Sequence, residues 1–346
     1  MFVVLYDKKF KALGRWTTYP CSKWSLTRKA VEFDELTCST RAMENSKNAV
    51  YVGLHNDDGS LNYLALCGKP TTAGGETKIK AVDLRQIFSQ KLKIELSRFK
   101  QSYNQTVSEL FRYLMSLPGT LDELGIDYQI DTTDLAEAGL SWKSNSIVTE
   151  DGIANVWKVL QGCCSWYNCY IESKVDLTVP SITFKVRVIT ELVSFKLSDF
   201  NQVNVVNDST VTNRVITQKP DGSSKSVWAL LSDDTVVSLA TAKASYPSQI
   251  IYPARVETVE DNDLIEAIKK GLEILYRNRF QSKVTVDCNC AMGKVLTDLD
   301  LNAFADIYGY NAADNSTFKR LPVMSISKGD SGSIKVSFGR LSEFWY

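Results

Sequence analysis

Apolar and polar residues alternate at period two in several separate stretches of the chain, and each such stretch predicts a half-buried strand. In PVMSISKGDSGSIKVSFG, Met324 and Ile326 alternate with polar positions before the KGDSGS segment, and Ile334, Val336 and Phe338 do so after it. Two strands meeting at a Gly-Asp-Ser-Gly tip make a β-hairpin. Glycine permits the positive φ of a tight turn, and Asp330 and Ser331 can bond locally to turn backbone. NAVYVGL and LNYLALCG flank HNDDGS in the same manner, so His55 is expected in a polar loop. VVLYD, SKWSLTRKAVEFDELTCST (with Trp24, Leu26 and later Phe33), WYNCYIES, SITFKVRVI, VTVDCNCAMG and DLNAFADIYGYN add further strands. QKPDGSSKSVWALL carries a turn at Pro220-Asp221-Gly222 and then another strand.

Helical spacing is rarer. TVSELFRYLMSL places Val107, Leu110, Phe111, Leu114 and Met115 on one face, and Pro118-Gly119 ends it. Ile153, Val156, Trp157 and Leu160 repeat that spacing in GIANVWKVLQGC, after Asp151. DNDLIEAIKKGLEILYRN is the clearest helix, with Asp261 or Asn262 as its cap and an apolar stripe of Leu264, Ile265, Ile268, Leu272 and Leu275. AVDLRQIFSQKLKI fits a short helix or a strand equally, and PTTAGGETK reads as a flexible loop. Residues 1–98 are mostly β, residues 99–190 form an α/β segment with its own small core, and residues 191–346 return to β with one long helix over 261–279. The fold class expected is α+β, mainly β.

At 346 residues the chain is long for a single core, and its length fits about two or three domains. Hydrophobic residues make up 44% and charged residues 23%, an ordinary globular composition. Forty basic side chains balance forty acidic ones, so no basic excess points to nucleic acid, and sequence-specific recognition of it is not expected. A chain without net charge has little colloidal repulsion, which suits a subunit inside an assembly. MFVVLYDKKF lacks a basic leader, and no stretch reaches the roughly 18 apolar residues of a membrane span. Synthesis in a cytoplasm, with reduced thiols, is the expectation.

Candidate chemistry begins with Gly329-Asp330-Ser331-Gly332, which spells the core of the nucleophile signature of trypsin-like serine proteases. A serine needs a base to take its proton, and His55 is the one histidine in the chain. Its surroundings lack the protease context, so KGDSGS reads as a hairpin tip. Asp57-Asp58, Asp233-Asp234 and Asp261 with Asp263 are acids in turns or helix starts, where carboxylates satisfy backbone N–H groups. Cys163, Cys164 and Cys169, and Cys288 with Cys290 on one strand face, lack the loop spacing of a zinc site and read as buried thiols. TTAGG lacks the phosphate-cradling arrangement of a P-loop. No catalytic residue, cofactor site or metal site emerges.

The order of the pieces carries a resemblance. A YDKKFKALGRW turn, a SKWSLTRKAVEFDELTC strand pair, the VDLRQIF segment, an α/β insert with ANVWKVL, and a closing VSFGRLSEFWY resemble the tail-hub (baseplate hub, tail-tip) proteins of tailed bacteriophages and related phage-like particles. The best local match is the LPVMSIS and SIKVSFG strand pair. The resemblance extends over most of the chain. It implies two tube-like β-barrel domains, residues 1–98 and 191–346, either of which can be built from discontinuous segments, with the smaller α/β domain 99–190 inserted. It also implies a homotrimer whose barrels form a pseudo-six-fold ring docked on a tail-tube or distal tail protein ring. Such a hub closes the tube and carries a tip fibre, spike or lysin, and resides in the virion. The chain stops at Tyr346 without the long extension some hubs use on receptor or cell wall, which argues against an intrinsic enzyme. Phe344, Trp345 and Tyr346 either cap their own barrel or anchor a subunit interface. A tail hydrolase acting on cell wall or peptide through Asp57, Asp58 or Ser331 is the competing expectation.

Overall fold

The computed structural model describes residues 1–14, 19–43, 48–95, 106–121, 125–138, 140, 152–207, 212–232, 235–277, 282–288, 299–311 and 316–339. The fold is mainly β with a minority of helix. Among the described residues, thirteen strands join in one large sheet system, and three smaller sheets accompany it.

Two sets of six strands make up most of the large sheet. The first runs Phe2–Tyr6, Tyr51–His55, Leu61–Cys67, Glu76–Val82, Glu35–Arg41 and Cys21–Lys29 in neighbour order. Its two ends approach each other: Val3 N–H donates to Tyr19 O at 2.9 Å, and Cys21 N–H donates to Met1 O at 3.0 Å. The second runs Gln202–Asn207, Ser282–Cys288, Ile334–Phe338, Ser316–Gly329, Ala303–Asn311 and Glu191–Lys196. Its end strands follow one another in the chain across the turn Leu197–Asp199. Antiparallel pairing of Ser25–Lys29 with Ser325–Gly329 fuses the two sets.

The period-two pattern explains the packing. Leu36, Cys38, Ile79 and Ala81 alternate inward and form one apolar cluster with Val3, Leu5, Val52 and Leu54. The opposite faces of the first strands carry Val4, Tyr6, Tyr51 and Leu64 into a larger cluster shared with the α/β part and with Ile326, Val336 and Phe338 of the second set. Burial on both faces explains why VVLY is a continuous apolar run rather than an alternating one.

The α/β part contains helices α1 (Val107–Met115), α2 (Thr133–Glu137) and α3 (Val156–Tyr167) on a three-stranded sheet of Cys169–Asp176, Ser181–Val188 and Asp127–Asp131. All five expected face residues of α1 are fully buried, and a Thr106–Glu109 capping box starts the helix. A further four-stranded sheet, built from Arg214–Gln218, Lys225–Leu230, Val236–Ser238 and Val256–Glu260, packs with α4 (Leu239–Ser245) and α5 (Leu264–Arg277). It sits in the chain between two strands of the second six-strand set.

Several local expectations are corrected. PTTAGGETK is a hairpin of Thr71–Ala73 and Glu76–Val82, turned at Gly74 and Gly75, which both take positive φ. AVDLRQIFSQKLKI is neither one helix nor one strand: Glu76–Val82 ends, a 3₁₀ turn occupies Leu84–Phe88, and Lys91–Ile94 is a strand. Ile153 lies on a short strand, Gly152–Asn155, and is 77% exposed; Asn155 caps α3 through Lys158 N–H. WYNCYIES is split, because α3 continues to Tyr167 and left-handed Asn168 terminates it. Asp263, rather than Asp261 or Asn262, caps α5 by accepting from Ile265 N–H at 2.9 Å. Within its expected stripe Leu275 is buried and Ile265 is 63% exposed, because Ala267 and Gly271 take the innermost positions. Asp151, Asp233, Asp234, Cys290 and the Phe344-Trp345-Tyr346 cluster lie outside the described residues.

Candidate functional site

The candidate nucleophile does not assemble a site. KGDSGS is the tip between Ser316–Gly329 and Ile334–Phe338, and Gly332 takes a φ of 69°. Ser331 is exposed, with its Oγ 2.9 Å from Ser333 Oγ. His55 is the buried last residue of its strand rather than a loop residue. Its Nδ1 lies 2.9 Å from Gly59 O; a carbonyl only accepts, so Nδ1 carries the proton. Its Nε2 lies 2.7 Å from the Tyr6 hydroxyl. Both nitrogens are thus committed inside the first six-strand set, and burial pushes the Tyr6 phenol up to about 12. Asp57 pairs with the Met1 ammonium, and Asp58 accepts from Ser60 N–H and Oγ–H at 2.9 and 2.6 Å. These acids close a turn.

The Cys163, Cys164 and Cys169 group consists of packing residues. Cys163, Cys164 and Cys169 are buried free thiols, and burial pushes Cys163 and Cys169 well above the ordinary thiol range. A protonated buried thiol is a poor metal ligand. Among the described residues no group of three or more His, Cys, Asp or Glu side chains is arranged to hold a metal.

What the fold does bring together is an ionic clasp at the junction of its parts. The 3₁₀ turn after Val82 presents Arg85, 3% exposed, into the protein interior. Its guanidinium pairs with Asp83 and, at 2.7 Å, with Asp34 Oδ1. It also donates to Glu32 O and to Ile171 O, each at 2.9 Å. Those acceptors belong to the bend after Cys21–Lys29 and to the first strand of the α/β sheet. One side chain therefore ties three segments together. Trp157 of α3 stacks on Phe33 at 4.7 Å, and Arg85 lies over the same Trp157 ring at 5.5 Å.

The carboxylates of the clasp are fully engaged. Asp34 Oδ1 also accepts from Lys29 N–H, and Oδ2 accepts from the Tyr63 hydroxyl at 3.0 Å. Asp83 accepts from the backbone N–H groups of Asp34 and Arg85. Burial, reinforced by Asp83 and opposed by Arg85, raises the Asp34 carboxyl to about 6. Burial also holds the Tyr63 phenol well above its usual range. Two acids in a low-dielectric pocket resemble general acid–base machinery, but both carboxylates here are saturated by arginine, hydroxyl and amide donors. That is how a structural ion cluster is satisfied.

A second arginine works nearby. Arg28 on Cys21–Lys29 donates to Asp300 Oδ1 at 2.9 Å and meets Glu172 Oε1 at 3.5 Å. It joins the first strand set to the α/β sheet and to the segment entering Ala303–Asn311. Arg28, Asp34, Arg85 and Glu172 line an open cleft of about 560 Å³ at this junction. Sequence reading missed the clasp because its members are far apart in the chain, 51 residues from Asp34 to Arg85 and 86 from Arg85 to Ile171. The available signal was the D-x-R charge pair set inside the apolar run AVDLRQIF.

No known protein family and no characterised relative matches the sequence significantly. Solved structures do match the fold. A prophage tail protein, gp18 of Listeria monocytogenes EGD-e, superposes with a TM-score of 0.51 at 9% identity, covering 99% of this chain and 96% of that one. A chain of the phage P2 baseplate in its activated conformation with Ca gives 0.50 at 10% identity, covering 99% of this chain and all of that one. A chain of the half-lidded Francisella PdpA–VgrG complex gives 0.54 at 12% identity, with 99% of this chain matching 58% of it. At such identities the likeness is one of fold, over essentially the whole chain: a phage-tail and baseplate fold.

Proposed function

We propose that this chain is a structural subunit of a phage or phage-like tail, a trimeric hub at its distal tip. In that role it joins the six-fold tail tube or distal tail protein ring to a tip fibre, spike or lysin, and closes the tube. It is made in the host cytoplasm and resides in the virion. The observation that carries this reading is the pair of fused six-strand sets, combined with a fold likeness covering 99% of the chain. Three copies carrying two such sets each give six similar units, which is how a trimer meets a six-fold ring.

The barrel assignment belongs to the same proposal. It is supported by the Met1–Cys21 and Tyr19–Val3 backbone bonds across the first set and by the single turn linking the end strands of the second. We retain the division into 1–98, 99–190 and a discontinuous 191–346, with 212–277 as an insertion in the last. The clasp of Arg85 and Arg28 suits a part that transmits load between units without doing chemistry. Phe344, Trp345 and Tyr346 are proposed as contributors to the subunit interface.

Labelling the chain in assembled particles and imaging them tests this directly. Density at the distal tip, in three copies on the tube axis, is expected. Label along the tail shaft, in the capsid, or absent from particles overturns the reading.

A further inference from the structure

The fold gathers four lysines that are scattered in sequence onto one sheet face. In the first strand set Lys23 stands opposite Ser39, Ser39 opposite Lys78, and Lys78 opposite Thr71, a row across four strands. The next row is Ser25, Thr37 and Lys80. Side chains directly opposite in an antiparallel pair share a face, so these rows form one surface. With Lys69 they border an open groove of about 440 Å³, in which Asp330 is the one acid. Four positive charges against one negative leave the groove at +3 in a chain of zero net charge.

Some lysines of the molecule are neutralised in place, and these four are not. Lys29, Lys185 and Lys270 each meet a carboxylate. Lys23, Lys69, Lys78 and Lys80 are exposed and make no ion pair among the described residues. The face also lacks the apolar anchor expected of a protein partner. Leu36, Cys38, Ile79 and Ala81 on the same strands point into the core, and Trp24 at the rim is half-buried against that core. Lysines and hydroxyls on an exposed polar surface are the groups that bind phosphate oxygens.

We infer that this face binds the sugar–phosphate backbone of a nucleic acid duplex without reading its sequence. Lysine is a mobile point charge with no bidentate geometry for base edges, so recognition is electrostatic. The inference stands on the lysine cluster and does not depend on the hub assignment.

The test is fluorescence anisotropy of short labelled DNA duplexes of two unrelated sequences against the full chain, from about 50 to about 200 mM salt. The triple variant Lys23→Gln, Lys78→Gln, Lys80→Gln changes only exposed side chains and leaves the core untouched. Removing three phosphate contacts is expected to flatten the salt dependence, so that the wild-type affinity falls about 40-fold more than the variant's across that range. Lys93→Gln, which removes a lysine paired with Glu95 on another sheet, is expected to leave the slope unchanged. Equal slopes for wild type and triple variant, no wild-type binding at the lowest salt, or strong discrimination between the two duplexes would overturn the inference. Tighter binding of polyglutamate than of duplex would also overturn it, and would assign the face to an acidic protein.

Discussion

The body of the molecule and the unit spanning residues 212–277 are both β-rich, yet they are held together differently. In the body one apolar cluster runs from Phe111 and Phe184 of the α/β part to Phe338 of the second strand set, and Arg85 and Arg28 cross the same junction. The 212–277 unit has two small clusters of its own, one centred on Val215, Leu230 and Leu275 and the other on Ala229, Leu231 and Ala242. It also leaves Tyr252, Val256 and Ile265 well exposed. The body's stability comes from contacts between distant segments, whereas the unit's contacts lie within its own chain segment. The two are therefore expected to respond separately to mutation, since sites without shared partners act nearly independently.

The largest expected effect is Arg85→Ala. It strands two buried carboxylates and empties the position that donates to Ile171 O and Glu32 O. Loss of one partner of a buried ion cluster costs about 3–5 kcal/mol, so the body should unfold at markedly lower denaturant while protection within 212–277 persists in hydrogen exchange. Equal loss of protection in both regions would break the comparison.

Gly271→Val is the reciprocal change. A Cβ at that position would sit 2.5 Å from Thr217 Cγ2 and 2.8 Å from Val215 Cγ1, so α5 must lift from its sheet. Overpacking of this kind costs about 1–3 kcal/mol. Limited proteolysis should then cleave within 212–277 first and leave the body intact.

Asp34→Asn sharpens the account of the clasp. The Asp34 carboxyl binds its proton more tightly when folded, at about 6 against an ordinary 3.8. Its stabilisation is therefore complete below the lower value and lost as pH rises through about 6. The melting temperature of the wild type relative to the variant should rise as pH falls from 7 toward 4.5. A relative fall would mean that Arg85 holds this carboxylate low instead. Asp131, lowered from an ordinary 3.8 to about 2 chiefly by hydrogen bonds from Thr133, contributes stability that is lost only as pH falls below the ordinary value, outside that window.

Ser331→Ala carries the smallest expected effect. An exposed hairpin-tip hydroxyl bonded to its neighbour Ser333 should contribute within about 0.5 kcal/mol to stability, and its loss should change no measurable hydrolysis of cell-wall polymer or peptide.

Much of this architecture was legible in the sequence. The closing hairpin, α1 and the long α5 follow directly from their periods, because burial on one face forces the spacing. The errors fell where tertiary contacts overrode local pattern. Ile153 keeps helical spacing with Val156, but Gly152–Asn155 pairs with Lys91–Ile94, so the helix begins only at Val156. Asp263 rather than Asp261 is the cap because the helix begins at Leu264, and Asp261 instead accepts from Asp263 N–H and pairs with Lys270. The Arg85 clasp and the lysine face were invisible for a single reason. Each is assembled from residues on separate segments of the chain, and net charge and period carry no information about which segments become neighbours.

Sedimentation of the purified full chain tests the central claim most directly. A particle of three times the 38.7 kDa chain mass is expected, either alone or on addition of a tail-tube ring. A species that remains at one chain mass at every concentration, with and without the ring, would contradict it.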